Sequence, residues 1–193
     1  MNQIEKRFQK LLIFFILLLT LPGCWDYDTK DTSTGGVEII DGHTLPPDPG
    51  EAGKNTLLGI DSNNDGVRDD VERWIYKTYN HPIERAIFIQ TARAYQLTNA
   101  DPSRAEENLP IMQRATACVA YWRLNAKADG RSYWLERYRN LYKEIRPIQF
   151  NTDKRFLAYE KYNNHLSGES ISLLGTSMDN CDFNASELMR KYQ

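Results

Sequence analysis

Asp61-Ser62-Asn63-Asn64-Asp65-Gly66-Val67-Arg68-Asp69-Asp70-Val71-Glu72 is a twelve-residue run that leads straight into an apolar helical pattern. Oxygen side chains stand at positions 1 (Asp61), 3 (Asn63), 5 (Asp65), 9 (Asp69) and 12 (Glu72). Gly66 falls at position 6, where such a loop turns sharply, and Val67 at position 7 would add its backbone carbonyl. A hard divalent cation takes six to eight oxygens, which alternate residues of a tight loop can point inward. Four carboxylates held that close repel one another unless a cation lies between them. The spacing therefore predicts a calcium loop, structural in use, with an affinity of about 10⁻⁴–10⁻³ M. The competing reading is an acidic turn whose Asp69, Asp70 and Glu72 favour a helix N-terminus.

Downstream of the loop the pattern is helical throughout. Val71, Trp74, Ile75 and Tyr79 share one face of the exiting helix. Asn80-His81-Pro82 ends it and starts the next, with Pro82 in a tolerated first-turn position and Ile83, Ala86, Ile87, Ala94 and Tyr95 keeping the period. Asp101-Pro102-Ser103 breaks the pattern, and Ser103 with Glu106 has capping-box spacing. Pro110 predicts a new start near Asn108, because a helix running through it loses a backbone hydrogen bond. Ile111, Met112, Ala115, Cys118, Val119 and Trp122 then line one face, and Asp129-Gly130 reads as a turn. The stripe Trp134, Leu135, Tyr138, Leu141, Tyr142 and Ile145 is expected to stop at Pro147. Asn151 and Thr152 can cap a further helix through Phe156, Leu157, Tyr159 and Leu166, and residues 185–192 suggest a short last one. The expected fold is all-α, a single bundle of five or six helices over residues 57–193.

Upstream, Lys6, Arg7 and Lys10 precede an unbroken apolar run over 11–19 and then Leu21-Pro22-Gly23-Cys24. The run is shorter than the roughly 20 residues a spanning helix needs. It reads as a signal peptide over 1–23 ending in a lipobox, with Cys24 as the lipidated residue. Pro22 is a less usual occupant of its position, and an uncleaved anchor or an ordinary secretory signal are the rival readings. Residues 24–56, rich in Pro and Gly, read as a flexible acidic tether. Residues 25–60 carry seven acids and two bases, against 18 acids and 19 bases over 61–193. The folded part is thus nearly neutral and has no basic block for nucleic acid. Cys118 and Cys181 remain once Cys24 is acylated. In an exported chain they predict a disulfide, with two buried thiols or a soft-metal site as alternatives.

Two departures separate the loop from a regulatory EF-hand. Residues 50–60 cannot supply an entering helix, and position 8, usually apolar, is Arg68. Around 59–72 the chain resembles a group of uncharacterised bacterial envelope lipoproteins with an EF-hand-like loop. Further islands of likeness are Arg155 to Gly168, including Tyr159, Tyr162-Asn163 and Leu166-Ser167-Gly168, and Cys181-Asp182-Phe183. The resemblance implies an exported calcium-loop protein and no particular reaction. His43, His81 and His165 are not placed for catalysis by their neighbours, and no nucleophile elbow, zinc motif or phosphate loop is present. Tyrosines and tryptophans at helical spacing read as core, and the bases between Arg131 and Arg146 as a solvated face. No catalytic residue is assigned. The expected role is a non-enzymatic one, binding or scaffolding a protein or cell-wall partner from a lipid anchor in the bacterial envelope. The membrane it faces from is preferentially the outer one, because Trp25 follows Cys24 in place of the Asp that resembles an inner-membrane signal. An envelope hydrolase assembled from residues distant in sequence is the alternative.

Overall fold

The computed structural model describes residues 37–125, 132–169 and 174–191, without the side chains of 132–139, 189 and 191. Six α-helices, three short 3-10 helices and one two-stranded ribbon account for its regular structure, which makes the fold all-α. The helices are α1 (Asp69–Thr78), α2 (Pro82–Ala100), α3 (Ala105–Asn125), α4 (Ser132–Gln149), α5 (Asp153–His165) and α6 (Ala185–Lys191). The expected signal sequence, Cys24, the expected tether up to residue 36, the expected Asp129-Gly130 turn and the side chains of Trp134, Leu135 and Tyr138 lie outside the described residues.

Helix α2 is the axis of the domain and packs against all five other helices. Its sequence explains this: Ile83, Ile87, Phe88, Ala92 and Tyr95 are buried together with Arg85, Gln90, Thr91, Thr98 and Asn99, and the stripe of Pro82, Ala86, Ile89, Arg93 and Gln96 is partly open to water. A helix buried over most of its circumference is a core helix. Its start is held by His81, whose ring nitrogen accepts from the Ile83 N–H. At that end Tyr79 stacks on Phe88 with ring centroids 4.0 Å apart, and Trp74 meets both rings edge-on. Each such aromatic contact adds about 0.5–1.5 kcal/mol to simple burial. A second aromatic group, Tyr95, Phe150 and Tyr159, closes the far side, where Phe150 stacks on Tyr159 at 4.3 Å. Cys118 on α3 is bonded to Cys181, with an S–S distance of 2.01 Å, which fastens the C-terminal segment to the bundle.

Several expected boundaries move. Helix α3 begins at Ala105 and runs through Pro110. Pro110 and Glu106 are exposed, so the carbonyl that Pro110 cannot serve is open to solvent. The cap before it is Asp101, whose carboxylate accepts from Ser103, and not a Ser103–Glu106 box. Helix α4 continues past Pro147 to Gln149, and its last carbonyls, those of Ile148 and Gln149, accept from Arg68. Thr152 caps α5 as expected, but α5 turns Arg155, Ala158 and Tyr162 inward and leaves Phe156 and Leu157 exposed. Ile111 is likewise exposed on α3.

The largest difference concerns residues 37–56, expected as part of a flexible tether. They lie on the domain as a strap. Ile39–Ile40 pairs antiparallel with His43–Thr44 through Asp41-Gly42, both at positive φ. Leu45 is buried, Arg73 donates to the Pro46 carbonyl and to Glu38, and Arg155 donates to the Gly53, Thr56 and Leu57 carbonyls. The stretch is poor in apolar residues, yet backbone carbonyls and single charges suffice to attach it to arginines of the bundle.

Candidate metal centre

The loop of 61–68 is built by its own backbone N–H groups. Asp61 accepts from the Asp65 N–H at 3.2 Å and, through its other oxygen, from the Gly66 N–H at 3.0 Å. Asn63 Oδ1 accepts from the Asp65 N–H at 3.2 Å, and Asp65 Oδ1 from the Val67 N–H at 2.8 Å. Asn64 and Gly66 take positive φ, and a Cβ on Gly66 would press against the Arg93 side chain at 3.1 Å. Asp69 closes the loop. Its N–H donates to the Ile60 carbonyl and its carboxylate accepts from the Ser62 N–H, both at 2.8 Å. Its first-turn place on α1 explains its burial. The Val67 side chain points into the core.

Glu72, one turn into α1, is fully buried beneath the loop. One carboxylate oxygen accepts from Asn63 Nδ2 at 3.0 Å, the other from His43 Nε2 at 2.6 Å. The His43 ring stacks on Tyr76 at 4.1 Å. Burial pushes the Glu72 carboxyl up, the His43 hydrogen bond opposes this, and the Asp65 charge adds to it. Asp65 is also raised, by burial and by Asp61, against the Val67 N–H, Arg93 and His43. Burial thus works against the charged form of two acids of the loop.

The structure brings Asn63 to Glu72 and Asp61 to Asp65, while Asp69 turns to Ser62. Among the described residues no group of three or more His, Cys, Asp or Glu side chains is gathered closely enough to hold a metal ion. In chemical kind the donors suit calcium: the side chains at the five donor positions of the run all offer oxygen and none offers sulfur. In placement they are spread, and both oxygens of Asp61 and of Glu72, with one each of Asn63, Asp65 and Asp69, accept from an N–H of the loop or from a neighbouring side chain.

Four residues important here were not legible as such in the sequence. His43 reaches Glu72 from the strap, and Arg93 donates through Nε to the Asp65 carbonyl at 2.8 Å. Arg68, fully buried, joins the loop to the end of α4 and forms a paired contact with Asp70. Arg155, also fully buried, is lowered to about 10 by desolvation and by the Arg68 charge, and remains protonated at neutral pH. The Asp41-Gly42 dipeptide was the available signal for the hairpin that carries His43. No helix among the described residues is long and apolar enough to cross a membrane. No family model matches the chain, and neither does any curated protein or solved structure.

Proposed function

We propose that this is a calcium-stabilised helical domain, held in the bacterial envelope by a lipid on Cys24, that binds or scaffolds a partner. The ion belongs to the 61–72 loop, with Asp61, Asn63, Asp65, Asp69 and Glu72 giving side-chain oxygens and Val67 its carbonyl. The observation that carries this reading is Glu72, a fully buried carboxylate at loop position 12 with Asn63 already against it. A cation would offset the burial, and the smaller carboxylate repulsion, that raise Glu72 and Asp65. The address rests on the basic start, apolar run and lipobox ending at Cys24.

The test is a thermal melt of the mature chain carrying Cys24→Ser, in chelator and then in millimolar calcium, with magnesium as control. At ten times the dissociation constant calcium contributes about 1.4 kcal/mol, so the midpoint should rise by about 3–6 °C. Asp61→Ala should abolish the rise. A rise that survives Asp61→Ala would put the ion elsewhere, and no rise in the parent protein would end the calcium reading. Cys24→Ala should separately release the protein from the membrane fraction.

A further inference from the structure

A cleft of about 300 Å³ runs along α2 between the hairpin on one side and the C-terminal segment on the other. Ala86 and Ile89 form its floor, with Tyr76, Phe183 and Leu188 on the walls. Arg85 and Arg93 stand on the same stripe of α2, eight residues and so about 12 Å apart along the axis. The two arginines are built alike. Arg85 donates through Nε to the Tyr79 carbonyl and through Nη2 to the Tyr76 carbonyl, with its guanidinium over the Tyr76 ring. Its Nη1 donates to Asp41 at 2.5 Å. Arg93 donates through Nε to the Asp65 carbonyl, and its Nη1 donates to Asp182 at 2.6 Å. Each guanidinium is fixed from behind by backbone and offers one N–H to an aspartate at the cleft.

The two aspartates are the replaceable halves of these pairs. Asp41 lies at the tip of the hairpin with half its side chain exposed, and Asp182 lies in a coil with a third exposed. The Arg93–Asp182 pair is open to solvent on both partners, and ion pairs of this sort hold weakly. Arg85, by contrast, is 6 % exposed and keeps its position without Asp41. We propose that the cleft binds an extended acidic peptide segment through two carboxylates, one on each arginine, and that Asp41 and Asp182 occupy those carboxylate positions in the free protein. At about 3.4 Å per extended residue, the helix rise of about 12 Å between the two arginines corresponds to acids three or four residues apart. Its middle residues lie over Ile89 and Leu188. This names the partner chemistry for the binding role proposed above and rests on that role.

The probe is a fluorescent, end-blocked tetrapeptide with acidic residues at its first and last positions and apolar residues between. An isomer with the two acids adjacent is the control. Anisotropy on the mature chain should show the spaced peptide binding about tenfold more tightly, since the isomer satisfies one guanidinium at a time. Arg93→Gln should weaken the spaced peptide about tenfold. Asp182→Asn, at an exposed position that leaves the fold intact, should tighten it about two- to fivefold by removing the internal competitor. Equal affinity for the two isomers, or Asp182→Asn leaving affinity unchanged or weakened, would overturn the proposal. The titrations are run in chelator and in calcium. A spacing preference without a calcium-dependent melt overturns the ion alone, and a calcium-dependent melt without a spacing preference overturns the cleft alone.

Discussion

At Gly59 the chain turns with φ +75° directly over two arginine side chains. A Cβ there would collide with the Arg68 stem and lie 2.8 Å from Arg155 Nη2. Neither arginine can retreat, because both are fully buried and bonded to backbone carbonyls. Gly59→Ala should therefore cost about 2–3 kcal/mol, read as a lower urea midpoint at unchanged slope. A loss below about 0.5 kcal/mol, the size of a surface change, would show that the 53–60 segment shifts freely. Tyr95 supplies a pH test. Burial pushes its hydroxyl up to about 12 against the Arg146 guanidinium that donates to it. The unfolded chain loses the phenol proton near 10, so this stabilisation is complete below about pH 10 and lost as pH rises toward 12. Tyrosinate absorbance and circular dichroism followed together should show the last tyrosine ionising with unfolding. The donor types of the loop were legible from spacing alone. Arg68 and Arg155 were not, since their partners lie up to 102 positions away and nothing local distinguishes a buried arginine from a solvated one.

Among the elements, helices with a single apolar face read correctly, and errors collected at proline and at the strap. Pro110 and Pro147 each remove one donor, but they are exposed, as are Glu106 and Lys143 whose carbonyls they leave, so water meets those groups. A rule based on the lost hydrogen bond overestimates its cost near a helix end. Phe156 and Leu157 misled in the opposite sense: apolar character did not settle the inward face of α5, because Arg155 occupies it. For the strap, composition argued against order, yet Leu45 is buried and Asp41, His43 and Glu38 each bond to a helix residue. Deleting residues 25–48 should lower the melting midpoint by about 5–10 °C, since burial of Leu45 alone contributes about 2 kcal/mol and Glu72 would lose its His43 partner. An unchanged midpoint would mean that the strap detaches freely in solution.

For the molecule as a whole, the Cys118–Cys181 bond closes a loop of 63 positions that holds the end of α3, α4 and α5. In the chain-entropy model that constraint contributes about 4 kcal/mol, a large share of the 5–15 kcal/mol that holds a typical domain. The reduced and alkylated protein should unfold at markedly lower urea, and an equal midpoint would mean that the unfolded chain is already compact around that contact. The position of α2 adds a consequence of another kind. Every other helix leans on it, so none can peel away without wetting the same central rod, and α2 cannot melt first without releasing them all. Fluctuations should therefore divide sharply: fraying at the periphery on the one hand, and on the other a single cooperative opening in which the α2 amides exchange their hydrogens only when the entire domain comes apart.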